Sequence, residues 1–212
     1  MTFLSELISP KILMQAYYDG LFPMADSMDD PNICWIEPEE RGIINLSDFK
    51  FSKSLKKSLK KDLYEIKANK NFEKVITLCA KNKNRKTSWI NSEIIKNYVK
   101  LHKIGKAKSI ECYYKKKLIG GLYGVILGQI FCGESMFSLK KNASKISMVY
   151  LAAYLKEGGF KIIDTQFYSD HLRQFGTTRI LRNEYLNILK ENSFKKANFP
   201  DKLKMNLLEY FR

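Results

Sequence analysis

An α+β architecture, with a mainly antiparallel mixed sheet flanked by helices, is what this sequence predicts, and three observations predict it. Three strand-like runs, 109–114, 118–127 and 129–137, follow one another with only Lys115-Lys116-Lys117 and Gly128 between them. A segment of helical period, 144–156, comes directly afterwards and is stopped by Gly158-Gly159. An apolar run, 160–164, then leaves that helix as a returning strand, so that meander, helix and return form a layered unit.

The elements upstream follow in order. Ser9 as N-cap, Pro10 at the first helical position, and Ile12, Leu13, Ala16 and Tyr17 on one face predict a helix over 9–19, closed by Gly20. Pro23, Asp29-Asp30-Pro31 and Pro38 around Trp35 predict a turn-rich stretch. Residues 52–61 read as an amphipathic helix and 64–68 as a short strand. Residues 72–80 and 92–104 read as helices, the second closed by Gly105. The proline-rich beginning predicts a small N-terminal domain over 1–45, leaving 46–212 as the principal domain. No internal repeat or low-complexity linker interrupts the chain.

Composition bounds the function. Hydrophobic residues at 45% and aromatics at 13% support a packed core and exclude wholesale disorder. Lys and Arg number 37 against 22 Asp and Glu, a net charge of +15 that attracts polyanions such as nucleic acid or an anionic membrane. A solubilising lysine-rich surface is the plain alternative. Glu6 interrupts the apolar start and no basic leader precedes it, so no signal peptide is expected. Nor does any stretch approach the ~18 apolar residues of a spanning helix, so no membrane role is expected. Cys34, Cys79, Cys112 and Cys132 are widely spaced, and the histidines are His102 and His171 alone. That arithmetic predicts neither a zinc site nor a disulfide framework, but a reduced, cytoplasmic chain without metal or cofactor.

Within the 52–61 helix, Lys53, Lys56, Lys57, Lys60 and Lys61 share one face, opposite Phe51, Leu55 and Leu59. Like charges so close repel, and a phosphate backbone laid along them relieves the repulsion and releases counterions. A solvated lysine face is the alternative. A membrane-surface role fits less well, because the apolar face is short and has no Trp.

Three sites in the second half carry unusual residues for their setting. Gly120-Gly121-Leu122-Tyr123-Gly124 puts glycines inside a strand, where they mark a bulge or a close backbone approach. Glu134, in Gly133-Glu134-Ser135-Met136-Phe137-Ser138, is a carboxylate in an otherwise apolar strand, and must find a partner or shift its pKa. It reads either as a structural ion pair or as an active-site group. Asp164 and Gln166 end a strand two residues apart, so strand alternation predicts that both project to one side and line a cleft. His102 reads as a surface or capping residue, and His171 follows the Asp-x-Gln segment.

Several segments, in order, resemble the bacterial leucyl/phenylalanyl-tRNA–protein transferases: Tyr17-Tyr18-Asp19-Gly20-Leu21-Phe22-Pro23, Trp89-Ile90, Leu101-His102, the Gly120–Val125 and Gly133–Ser138 blocks, Ala143-Ser144-Lys145, and Asp164-Thr165-Gln166 with His171-Leu172. The resemblance implies a GNAT-type acyltransferase domain with a small N-terminal domain. It implies transfer of Leu or Phe, sometimes Met, from aminoacyl-tRNA to proteins beginning with Arg or Lys, marking them for N-degron proteolysis. It places Lys53, Lys57, Lys60 and Lys61 on the tRNA, and Glu134, Asp164 and Gln166 at the reacting centre. Trp89 would hold the terminal adenosine, and Leu122, Phe131, Met136, Met148, Leu151, Leu155 and Ile163 would line the side-chain pocket. A monomer is expected. The chain departs from the family in three places: Met24 stands where Trp is frequent, Leu151 and Leu155 stand for phenylalanines, and a Gly-Gly-Asp-Leu segment before the first helix is missing.

The implied mechanism has Gln166, oriented by Asp164, binding the attacking amine, and Glu134 fixing the donor's α-ammonium or ribose. Proton transfer through the terminal ribose is equally compatible. Two other readings compete. An acyl-CoA-dependent acyltransferase requires a pyrophosphate-binding turn, which Asn142-Ala143-Ser144-Lys145 does not supply. A non-catalytic RNA-binding module leaves Glu134 and Asp164-x-Gln166 without a purpose.

Overall fold

The computed structural model describes residues 8–81 and 87–212, so Glu6 lies outside the described residues. The first helix, α1 (Pro10–Tyr18), is capped by Ser9, whose Oγ accepts from Ile12 N at 3.3 Å. Leu13, Ala16 and Tyr17 face inward as its period requires, whereas Ile12 is turned to solvent. Two short strands, β1 (Phe22–Met24) and β2 (Cys34–Ile36), pair with each other and form a separate two-stranded sheet.

Everything else is arranged on one mixed sheet. Its strands are β3 (Glu40–Asn45), β4 (Glu65–Ala68), β5 (Ala107–Tyr114), β6 (Lys117–Leu127), β7 (Ile130–Ser138), β8 (Ile162–Gln166) and β9 (Thr178–Leu181). They lie in the order β4-β5-β6-β7-β8-β3-β9, and every neighbouring pair is antiparallel except β7 and β8. The parallel pair is joined by α5 (Ala143–Glu157), the crossover that two parallel strands need. Residues 40–45, read from sequence with the N-terminal unit, are built into this sheet as β3 between β8 and β9. No local pattern marks that insertion, because both partners lie more than a hundred residues downstream.

Helices cover both faces. Tyr17 of α1, Val75 and Ile76 of α3 (Phe72–Ala80), and Ile94 and Tyr98 of α4 (Ser92–Lys103) pack in one core with Tyr123, Val125 and Cys132. Met148, Leu151 and Leu155 of α5 pack in the other with Leu122, Phe131 and Ile163, joined by Leu55 of α2 (Lys53–Lys60). Short α6 (Asp170–Arg173) and α7 (Arg182–Asn192) complete the C-terminal part.

Two irregularities position the functional residues. The β5–β6 hairpin is closed by Lys115 and Lys116, both at positive φ (48° and 63°), the conformation of a two-residue turn whose twist matches that of the strands. Between β6 and β7, Tyr123 faces Ser135 but Gly124 faces Gly133, so β7 holds one residue more than its partner. That extra residue is Glu134. A β-bulge of this kind re-aims a side chain. Gly124, opposite the bulge, has no room for a side chain: a Cβ there would lie 2.3 Å from the Cys132 carbonyl oxygen.

Candidate active site

The parallel pairing of β7 and β8 runs through Ile130↔Ile162, Phe131↔Ile163 and Cys132↔Asp164 and then stops. The next residues on each strand, Gly133 and Glu134 on one and Thr165 and Gln166 on the other, line a cleft of about 360 Å³. The predicted pocket residues Leu122, Phe131, Met136, Met148, Leu151 and Ile163 line it too, and Trp89 and Met24 stand beside them. Leu155 does not: one turn beyond Leu151, it is fully buried in the α5 core and outside the lining, because a helix presents only one stripe to the cleft.

Glu134 is held by three neutral donors. Its Oε1 accepts from the Tyr17 hydroxyl at 2.6 Å and from Gln166 Nε2 at 2.9 Å, and its Oε2 accepts from the Tyr98 hydroxyl at 3.1 Å. The Tyr17 and Tyr98 hydroxyls also bond to each other. No cation touches this carboxylate among the described residues. Burial pushes its pKa up to about 7, the three donors pull against that rise, and the charge of Asp164 adds to it. Burial and then the adjacent carboxylate push both phenols above their ordinary value, so they remain donors.

Asp164 is surrounded differently. Arg41 clamps it in a bidentate pair, Nε to Oδ1 at 3.0 Å and Nη2 to Oδ2 at 2.7 Å. The Tyr185 hydroxyl donates to Oδ2 at 2.7 Å and the Gln166 backbone N–H to Oδ1 at 2.7 Å. Each oxygen thus has two donors, and neither Asp164 nor Arg41 is exposed by more than 1%. The guanidinium lies 4.8 Å and 4.4 Å from the ring centroids of Phe22 and Tyr185.

Strand alternation predicts Asp164 and Gln166 side by side in the cleft, and the structure parts them. Gln166 sits at φ 61°, a left-handed conformation uncommon for a residue with a side chain, which breaks the alternation. Its amide lines the cleft, while Asp164 is fully buried behind it. The carboxylate therefore holds the backbone of Gln166, and Glu134 holds its side chain.

Four contributors escaped the reading of the sequence. Tyr17 and Tyr98 lie on buried helix faces, where a phenol needs a hydrogen-bond partner, and that was their signal. Arg41 stands alone before the apolar run Gly42-Ile43-Ile44, a weak mark of a buried cation. Tyr185 offers none. His102 is structural: it stacks on Phe72 and its Nδ1 is 2.9 Å from the Ala107 carbonyl oxygen. His171 lines the cleft, and burial, then Lys145, lower its pKa. Lys53, Lys57, Lys60 and Lys61 are all exposed on the outer side of α2, whose Leu55 is buried. Among the described residues no group of side chains is suited to a metal ion, and no helix is long and apolar enough to cross a membrane.

Residues 43–190 match the leucyl/phenylalanyl-tRNA protein transferase family, and residues 6–39 match that family's N-terminal domain. The chain is 45% identical over 195 residues to a leucyl/phenylalanyl-tRNA–protein transferase of Maricaulis maris, covering 90% of each chain. It is 44% identical over 200 residues to one of Zymomonas mobilis, covering 94% of this chain and 74% of that one. The structure of L-PGS from Bacillus licheniformis is a far more distant likeness, at 14% identity and a TM-score of 0.41 over 93% of this chain and 61% of that chain, and bears no weight.

Proposed function

We propose the following activity for this chain, which belongs to the leucyl/phenylalanyl-tRNA protein transferase family. It transfers a leucyl or phenylalanyl group from tRNA to the N-terminal amine of a protein. The observation that carries this reading is the Glu134–Gln166 hydrogen bond, set against an apolar wall where β7 and β8 separate.

The chemistry demands little more than that arrangement. An aminoacyl ester is already activated, and an acceptor α-amine with a pKa of about 7.7–8.0 has a useful neutral fraction near pH 7. Juxtaposing the two supplies roughly 7–11 kcal/mol. The apolar wall holds the leucyl or phenylalanyl side chain, and accepts methionine as well, since one methylene is worth only about 1–3 kcal/mol in such a pocket. Trp89, at the rim, holds the terminal adenosine, with Met24 supplying a thioether where relatives have an indole.

Gln166 spends its amide N–H₂ on Glu134, which leaves its Oε1 to accept from the attacking amine. Asp164, with both oxygens engaged twice, is a positioning residue that fixes Gln166 through its backbone. Glu134 is the group whose charge state changes near neutrality, and it takes the proton that the nitrogen loses. As the C–N bond forms and the ester C–O bond breaks, the departing ribose oxygen takes up a proton, so the exchange balances. The finer reading has acceptors beginning with Arg or Lys, marked for N-degron proteolysis, and a monomer working in the cytoplasm. It also has a GNAT-like principal domain, reckoned to include β3, behind a small N-terminal unit.

Incubation with Phe-tRNA and a peptide beginning with Arg tests this. Mass spectrometry should find the peptide heavier by one phenylalanyl residue. An unmodified peptide beside intact donor would sink the reading.

A further inference from the structure

The basic face of α2 does not end with the helix. Asn142 Nδ2 donates to Ser58 Oγ at 3.2 Å, tying the loop before α5 to the side of α2. Tyr64, just past α2, donates its hydroxyl to the Lys141 carbonyl oxygen at 3.3 Å. Its ring meets that of Tyr114 edge-on at 6.0 Å. Tyr114 in turn lies under two ammonium groups, Lys140 at 5.0 Å and Lys115 at 5.6 Å from the ring centroid. Lys115, Lys116, Lys140 and Lys141 are all exposed, and among the described residues none of them is in an ion pair. The same α5 terminus also reaches the cleft, since Lys145 lies near enough to lower the pKa of His171 in the cleft wall. A run of cations without counterions therefore extends from the cleft mouth past α2 to the tip of the β5–β6 hairpin.

The geometry points to a second tRNA contact, formed by Lys115, Lys116, Lys140 and Lys141 with Tyr114 between them, that grips the RNA backbone beyond the segment laid on α2. This rests on the transfer activity proposed above. A lysine cluster braced by an aromatic ring suits phosphates, because ammonium groups act on them as point charges and need no fixed angle. The contact is sequence-independent, so it secures the body of any charged tRNA while the cleft selects the amino acid.

The test is the quadruple variant Lys115→Ala, Lys116→Ala, Lys140→Ala and Lys141→Ala in the full chain, assayed with Phe-tRNA and with phenylalanyl-adenosine as alternative donors. The kcat/KM for Phe-tRNA should fall at least tenfold at ~150 mM salt and that for phenylalanyl-adenosine should stay at the wild-type value. Each phosphate released flattens the dependence of log affinity on log salt by about 0.9, so the slope for tRNA binding should become shallower by about 3. A wild-type slope, or an equal loss with both donors, overturns the proposal. Binding is read separately from turnover, so a wild-type protein that binds tRNA but transfers nothing refutes the proposed activity while the slope still judges the lysines.

Discussion

Two carboxylates lie on adjacent strands of one sheet, both buried, and they are provided for in opposite ways. Asp164 has a bidentate cation, a phenol and a backbone N–H, four donors for two oxygens. Glu134 has two phenols and an amide, all neutral. The first is locked as an anion and can serve only as a fixed point. The second is left near neutrality, able to gain or lose a proton at the opening of a cleft. The lesson is that a buried acid becomes chemically available when its partners carry no charge.

The most damaging way to break this contrast is Arg41→Met. It strands Asp164 as an uncompensated charge, and unmaking a buried pair from one side costs about 3–5 kcal/mol. Urea denaturation should show a loss of that size at unchanged m-value, together with loss of the left-handed setting of Gln166 and of transfer. Retention of wild-type stability would mean that the clamp holds nothing.

Glu134→Gln should act in the other direction on stability. A carboxyl whose pKa is raised on folding binds its proton more tightly in the native state, so the stability it contributes is complete below its unfolded pKa near 4.5 and is lost as pH climbs to about 7. The variant should lack that decline between pH 5 and 7, and should be no less stable than wild type at pH 8. Its transfer rate should nonetheless fall by roughly 10²–10⁴, the range for removing a general base. The acidic limb of kcat/KM, tenfold per pH unit below about 7 in the wild type, should vanish. A limb that persists in the variant would assign the proton to another group.

Tyr98→Phe sharpens the comparison most gently. It removes one donor that lowers the Glu134 pKa, so the acidic limb should move to higher pH by about half a unit to one unit, consistent with a hydrogen bond worth about 1 kcal/mol. A limb that stays in place or moves toward acid would show that Tyr98 does not stabilise the ionised form.

Much of this could be read from the chain itself, for local reasons. The meander and α3 announce themselves through period and turn residues spaced within a dozen positions. Glu134 and Gln166 stood out as polar groups in apolar strands. Their meeting was not local, since it depends on β7 and β8 becoming parallel neighbours through α5. The partition of Asp164 from Gln166 turns on a single positive φ that alternation does not foresee. Arg41 could be understood only once β3 was seen between β8 and β9, beside the strand that carries Asp164.

The bulge in β7 has a further implication for how such a protein can change. Removing residue 134 would leave β6 and β7 in continuous register from Ile130 to Ser138, a more regular ladder with no buried acid to neutralise. A one-codon deletion is thus a short path from transferase to inert scaffold, and laboratory selection for thermal hardiness alone should drift along it. Screens on this fold must therefore reward turnover and endurance together.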